Sequence, residues 1–138
     1  MMKPLFTASA TAIGGREGRV TSTDGIIDLN VSMPGSKHSD EATNPEQLFA
    51  AGYAACFGSA LNLVISKERI KTEGSNVTGH VTLNQDDEGF FISVELEVEI
   101  QGVDQATAER LVEAAHEVCP YSKATRGNVD VKLTAKAA

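Results

Sequence analysis

Apolar and polar residues alternate along much of the chain, in a pattern typical of β-strands with one buried face. Residues 7–13 and 19–33 predict strands, and the turn signature STDG inside the second stretch predicts a hairpin. Apolar residues occupy every second position from Ile92 to Ile100, which predicts a strand with one buried and one solvent-exposed face. Two further strands are predicted, at residues 77–84 and around Val129, Val131 and Leu133.

A long helix is predicted between the third and fourth strands. Asn44 is a good N-cap, Pro45 suits the first helical position and Gln47 can complete a capping box. The helix should continue to about Arg69. It carries apolar or small residues on nearly every side, which predicts a buried helix.

A second, amphipathic helix is predicted from a cap at Asp104 to Val118, and Pro120 should stop it. Its apolar stripe consists of Ala108, Leu111, Val112 and Ala115.

This order of elements predicts an α+β fold, with a long buried helix and an amphipathic helix on antiparallel sheets. The 138 residues are expected to form a single domain, residues 1–138, because no linker or repeat divides them. One sheet face cannot cover every side of the first helix, so we expect an obligate homodimer.

The charge balance argues against two classes of partner. The chain has 12 basic and 19 acidic residues, so its surface should repel nucleic acid and anionic membranes. Its first residues contain no apolar run of signal-peptide length, so we expect a cytoplasmic protein. Glycines and polar residues interrupt the most membrane-like stretch, residues 48–65, which we interpret as the buried helix.

The two cysteines, Cys56 and Cys119, are open to three interpretations. The most common interpretation is that both are buried structural thiols, because free cysteine is among the most buried residue types. Cytosolic reductants disfavour a permanent disulfide but allow a transient one, as a catalytic cycle requires. A nucleophilic cysteine must be a thiolate, and an ordinary cysteine with a pKa near 8.5 is only slightly ionised at neutral pH.

A cation is therefore needed near Cys56, because the helix dipole fades within the first turn after Asn44. Arg16 lies in the glycine-rich segment GGREG and is a candidate, since its guanidinium stays charged and donates several hydrogen bonds. A solvated turn residue is the alternative interpretation of Arg16.

Glu46 is a candidate to hold that arginine. It precedes Cys56 by about 15 Å of helix rise, which excludes a direct contact within one helix. An arginine side chain can bridge part of that gap, or the carboxylate can come from the helix of a second subunit. The alternative interpretation is that Glu46 only stabilises the first turn of the helix, where an acidic side chain is favourable.

Three separated motifs, taken together, resemble the organic hydroperoxide resistance family within the osmotically inducible protein C superfamily. They are ATNPEQLFAAGYAACF at residues 42–57, VCPYS followed by ATRGN at residues 118–128, and GGREGR at residues 14–19. The resemblance covers nearly the whole chain and has both cysteines in register.

The resemblance implies a peroxidatic role for Cys56, a resolving role for Cys119 and a stabilising pair in Arg16 and Glu46. It also implies an intertwined homodimer and reduction by protein-bound dihydrolipoyl groups, with no bound cofactor. The expected reaction converts an organic hydroperoxide into an alcohol, through a Cys56 sulfenic acid and a Cys56–Cys119 disulfide.

Four further residues are candidates to line an apolar substrate pocket, although core packing is the default for each: Met33, Phe49, Phe57 and Tyr121. A peroxidase of the osmotically inducible subgroup is one alternative, and a non-catalytic thiol redox sensor or lipid-binding module is another. No metal site is expected, because His38, His80 and His116 lie in separate elements.

Overall fold

A computed structural model describes residues 2–138, which group into an N-terminal unit ending at Leu48 and a C-terminal unit, Phe49–Ala138. The prediction of one domain over residues 1–138 stays a prediction. The N-terminal unit contains β1 (Ala10–Ile13), β2 (Gly18–Ser22), β3 (Asp28–Val31), a 3₁₀ turn (Ser39–Glu41) and the start of α1 (Pro45–Glu68). The C-terminal unit contains the rest of α1, then β4 (Gly74–Asp86), β5 (Gly89–Gln101), α2 (Gln105–Val118), α3 (Pro120–Thr125) and β6 (Val131–Ala137).

The N-terminal sheet has the antiparallel order β1-β2-β3. The predicted hairpin between β2 and β3 is confirmed, because the N–H of Gly25 donates to the carbonyl of Ser22 (3.0 Å) and Asp24 accepts from the N–H of Ile26 (3.0 Å). The first strand begins at Ala10, later than the predicted residue 7. Few side chains in this unit are buried; they include Val31 and Thr43.

The predicted start of α1 is confirmed, but its capping box does not form. Asn44 Oδ1 accepts from the backbone N–H of Gln47 (2.8 Å), as an N-cap should. The Gln47 side chain instead accepts from the hydroxyl of Thr43 (2.7 Å). The helix ends at Glu68, one residue earlier than expected, because Arg69 adopts a left-handed conformation with φ 54°.

Within this chain, α1 is buried along one face only. By length and composition it is apolar enough to cross a membrane, yet its residues Tyr53, Phe57 and Leu61 have 0 % exposure in the protein core. Leu63 on another side is 47 % exposed. The long helix is confirmed, and the expectation that it is buried holds for the face that packs on the sheet.

The C-terminal sheet has the order β4-β5-β6 and confirms the α+β class. Strands β4 and β5 are antiparallel, whereas β6 pairs in parallel with β5 and so departs from the predicted all-antiparallel arrangement. The physical reason is the crossover through α2 and α3, which returns the chain to the same end of the sheet. The alternation in β5 is confirmed, since its apolar residues Val94, Leu96, Val98 and Ile100 are buried.

The amphipathic helix α2 begins and ends as predicted. The side chain of Asp104 accepts from the N–H of Thr107 (2.8 Å), and the predicted apolar stripe is fully or almost fully buried. Pro120 stops α2 and also begins a third helix, α3, which is short and was not predicted from the sequence. Proline is well suited to a first helical position because it lacks the N–H that would be unpaired there.

Candidate active site

The two cysteines lie next to each other in the C-terminal unit. The sulfur of Cys119 is 3.6 Å from the sulfur of Cys56, with the Cys119 thiol donating, and both residues are free thiols. A disulfide bond is about 2.05 Å long, so the sulfurs must approach each other by more than 1 Å to bond. The two cysteines are therefore reduced, and their sulfurs lie close enough for a small movement to bring them to bonding distance.

Two helical elements and one connecting residue set this geometry. Cys56 lies in the middle of α1 and is partly buried, whereas Cys119 has 0 % exposure. Cys119 is the single extended residue between α2 and α3, with φ −67° and ψ 122°. The position of its sulfur therefore depends on how both helices are anchored.

The surroundings of Cys56 favour the protonated thiol. Burial raises the pKa of Cys56, and the neighbouring Cys119 raises it further. The backbone N–H of Tyr121 opposes them by donating a hydrogen bond to the sulfur, which lowers that pKa. This N–H belongs to the first turn of α3, where backbone donors have no partner inside the helix. A peroxidatic role requires a stronger opposing influence than one N–H group.

Aromatic rings pack close to Cys56. The ring of Tyr121 lies 5.7 Å from that of Tyr53 and 6.3 Å from that of Phe49, centroid to centroid. Gly52 makes room for it, because a Cβ at that position would lie 3.1 Å from the Tyr121 hydroxyl oxygen. Two predicted pocket residues are therefore neighbours: Phe49, two helical turns before Cys56 on α1, and Tyr121 on α3.

The other two predicted pocket residues have different environments. Phe57 is fully buried among the core side chains of the C-terminal unit. Met33 belongs to the N-terminal unit and is 40 % exposed. The pocket assignment stays a prediction for all four residues.

The predicted partners Arg16 and Glu46 form an ion pair within one chain. Nη1 and Nη2 of Arg16 donate to the two carboxylate oxygens of Glu46 at 2.7 and 3.0 Å, a bidentate arrangement. This hydrogen bonding lowers the pKa of Glu46, against the opposing effect of its burial, and raises the pKa of Arg16. Both groups therefore stay ionised, and the pair forms without a carboxylate from a second subunit.

The glycine-rich segment shapes the turn that carries Arg16. Gly14 and Gly15 have positive φ values of 82° and 59°, which residues with side chains rarely adopt. A Cβ on Gly18 would lie 1.8 Å from the carbonyl oxygen of Ile13, so only glycine fits there. The glycines are therefore required by the backbone geometry of the turn itself.

Glu17 is a member of this region that sequence reasoning missed. Its carboxylate accepts from the backbone N–H of Met33 (3.1 Å) and from the hydroxyl of Ser32 (3.3 Å). It thereby ties the Arg16 turn to the segment after β3. The sequence offered no signal for this contact, because a charged residue in a turn is usually solvated.

A buried polar network next to Cys119 was also missed. The Tyr53 hydroxyl is 2.8 Å from the Ser122 hydroxyl and 3.2 Å from the Thr125 hydroxyl, and His116 Nδ1 is 2.8 Å from the Ser122 hydroxyl. His80, in contrast, pairs with Glu97 at the surface (2.7 Å). Within residues 2–138, no three His, Cys, Asp or Glu residues are grouped in a way that could hold a metal ion.

Comparison with known proteins gives consistent matches over most or nearly all of the chain. A family model described as OsmC-like protein matches residues 37–134. The organic hydroperoxide resistance protein OhrA of Bacillus subtilis is 55% identical over 138 residues, covering 96% of this chain and 97% of that protein. The organic hydroperoxide resistance protein of Xanthomonas axonopodis pv. citri is 50% identical over 136 residues, covering 96% of this chain and 95% of that protein.

Solved structures match equally well. The crystal structure of the organic hydroperoxide resistance protein OhrB of Bacillus subtilis has a TM-score of 0.89 at 51% identity, covering 98% of this chain and 100% of that one. The organic hydroperoxide resistance protein of Elizabethkingia anophelis, crystallised with thiocyanate bound, has a TM-score of 0.92 at 50% identity, covering 99% and 100%. The folds therefore agree along the whole chain.

Proposed function

The chain belongs to the OsmC-like protein family and, within it, to the organic hydroperoxide resistance proteins, and from this premise we propose that it is a cysteine-based peroxidase that reduces organic hydroperoxides to alcohols. A role in organic hydroperoxide resistance follows from the family. The observation that carries the finer proposal is the pair of free sulfurs, Cys56 and Cys119, 3.6 Å apart.

Cys56 is the proposed nucleophile. Its thiolate attacks one peroxide oxygen, the O–O bond breaks, and the alkoxide leaves as alcohol after taking a proton, which leaves a sulfenic acid on Cys56. Its greater exposure favours Cys56 over Cys119 for this role, because Cys56 is only partly buried while Cys119 is fully buried. Exposure and thiolate character together decide which cysteine reacts first.

Arg16 is the proposed source of the positive charge that ionises Cys56. Two of the five N–H donors of its guanidinium bind Glu46, so the others are free to bind a thiolate and a peroxide oxygen. The role of Glu46 is to hold the guanidinium in position. Since burial raises the pKa of Cys56, a fixed cation is the effect that reverses that direction.

The second chemical step closes the disulfide. The Cys119 sulfur attacks the Cys56 sulfur, the S–O bond breaks, and the hydroxide leaves as water with the Cys119 proton. A dihydrolipoyl group of a lipoylated protein is the proposed reductant: its two thiols reduce the disulfide and become a cyclic disulfide themselves. We further propose that the protein is a cytoplasmic, intertwined homodimer, which covers the open side of α1, and that Met33, Phe49, Phe57 and Tyr121 shape an apolar pocket.

A steady-state assay with lipoamide and its dehydrogenase tests the proposal. Wild-type protein should turn over cumene hydroperoxide many times and faster than hydrogen peroxide, whereas Cys56→Ser should have no activity above background. Ser59→Ala, which removes one hydroxyl group from the same helix, is the matched control and should behave as wild type. Consumption of one peroxide per chain followed by arrest, with reductant in excess, would identify a redox sensor instead.

A further inference from the structure

The buried network around Tyr53 connects the two helical elements that carry the cysteines. Tyr53 lies on α1, one turn before Cys56, and Ser122 lies on α3, one turn after Cys119. All of these polar side chains are shielded: Tyr53 and Ser122 have 0 % exposure and Thr125 has 3 %. The network therefore fixes one cysteine-bearing element relative to the other.

The short helix α3 needs such an anchor. It spans six residues, Pro120–Thr125, and isolated helices of this length are not stable in water. Its two buried residues, Ser122 and Thr125, are the two that meet the Tyr53 hydroxyl. Because Cys119 is the residue joining α2 to α3, an anchor on α3 also restrains the Cys119 backbone.

We propose that Tyr53 and Ser122 are positioning residues for the resolving step: their hydrogen bond holds the Cys119 sulfur within reach of Cys56, so that the disulfide closes before a second peroxide can react. This inference rests on the proposed function. The sulfur of Cys119 attacks the sulfur of the Cys56 sulfenic acid, water is lost, and no other oxidant is needed. Slow closure would leave the sulfenic acid open to a second hydroperoxide, which oxidises it to sulfinic acid and is itself reduced to alcohol.

Tyr53→Phe separates this role from folding. It keeps the buried ring and removes only the hydroxyl group. Thr125 retains its hydrogen bond to the Ser122 carbonyl (3.1 Å), and Ser122 retains His116 (2.8 Å), so each remaining hydroxyl keeps a partner. The fold should survive while the hydrogen bonds from α1 to α3 are lost. Ser122→Ala is the second variant: it removes the hydrogen bond between Tyr53 and Ser122 from the other side and leaves the bond between Tyr53 and Thr125 (3.2 Å) in place.

The experiment is a single-turnover reaction with cumene hydroperoxide, in which alcohol release, the free-thiol count and the mass of each cysteine product are followed in time. Wild type and the Ser59→Ala control should release alcohol and then close the disulfide. Tyr53→Phe and Ser122→Ala should release alcohol at the wild-type rate but close the disulfide about tenfold more slowly, the factor that one hydrogen bond is worth. With excess peroxide they should accumulate sulfinic acid on Cys56.

Three results overturn the proposal. Disulfide closure at the wild-type rate in both variants means that the hydrogen bond does not position Cys119. If the rates of alcohol release and of disulfide closure decrease equally, the network is only structural. The same conclusion follows if both variants fail to fold. If wild type itself releases no alcohol, the peroxidase function fails and this inference fails with it, a result distinct from the first two.

Discussion

The Arg16–Glu46 pair and the Cys56 thiol differ in the charge state that their surroundings favour. In the N-terminal unit, Arg16 and Glu46 bind each other through two hydrogen bonds, and each pKa moves in the direction that favours the ionised form. In the C-terminal unit, Cys56 is partly buried, and this burial raises its pKa, which favours the neutral thiol. The surroundings of the ion pair favour two charged groups, whereas the burial of Cys56 favours an uncharged one.

On the proposed mechanism, this difference implies separate tasks for the two groups. A sulfur kept neutral by burial is protected from adventitious oxidation, but it reacts slowly with peroxide until a cation favours its thiolate. A guanidinium locked to a carboxylate is a permanent cation but has no nucleophile of its own. We expect changes in the N-terminal pair to slow the first attack on peroxide, and changes at Cys119 to affect the later closure of the disulfide.

Replacement of Cys119 should have the largest effect on sustained activity. Cys119→Ser cannot form the intramolecular disulfide, so repeated turnover should be lost and Cys56 should accumulate as sulfinic acid with excess peroxide. The first release of alcohol should be as fast as in wild type or faster, because Cys119 raises the pKa of Cys56. Stopped-flow mixing with mass spectrometry of the products measures both. A first turnover slowed as much as the later ones would contradict the separation of tasks.

Removal of the cation should give the next largest effect. Arg16→Ala should lower kcat/KM for an alkyl hydroperoxide at neutral pH by roughly a hundredfold, comparable to the loss of one strong charge-stabilising donor. Activity should recover partly at alkaline pH, where Cys56 ionises without help. Arg19→Ala is the matched control, because Arg19 also pairs with a carboxylate, Asp28 (2.8 Å), at an exposed site. Equal losses in the two variants would show that the effect is not specific to Arg16.

Neutralising the carboxylate should have a smaller effect. Glu46→Gln keeps a hydrogen-bond acceptor but loses the charge and the bidentate geometry, so Arg16 becomes mobile and kcat/KM should fall about tenfold. Glu41→Gln, an exposed change in the preceding 3₁₀ turn, is the control and should leave the rate unchanged. A rate equal to that of wild type in Glu46→Gln would show that the ion pair does not position Arg16.

The smallest expected effect is on stability in acid. Because the folded protein lowers the pKa of Glu46, the ion pair stabilises the fold above the ordinary glutamate pKa and loses this contribution as pH falls through the lowered value. The Arg16 side chain is 37% exposed, so solvent screening keeps the contribution small. Urea unfolding of wild type and Glu46→Gln should therefore differ at neutral pH and converge in acid. If the difference in the free energy of unfolding became larger as the pH falls, the lowered pKa of Glu46 would be contradicted.

The sequence predicted those elements in which a local pattern matches a single structure. The alternation of β5 and the stripe of α2 require only that alternate residues, or every third and fourth, face a core. The short helix α3 has no such pattern, and the parallel pairing of β6 depends on a crossover that local propensities do not encode. The candidate site shows the same limit: the resemblance supplied the proposed roles of Cys56, Cys119, Arg16 and Glu46, whereas the contact between Tyr53 and Ser122 joins positions 69 residues apart.

The most direct test of the account is the ionisation of Cys56 itself. It is measured by the ultraviolet absorbance of the thiolate during a pH titration, in Cys119→Ser protein so that only one cysteine contributes. We expect a pKa below the ordinary cysteine value of about 8.5, and a pKa above that value when Arg16→Ala is added. A Cys56 thiol that remains protonated well above neutral pH while Arg16 is present would contradict the central claim.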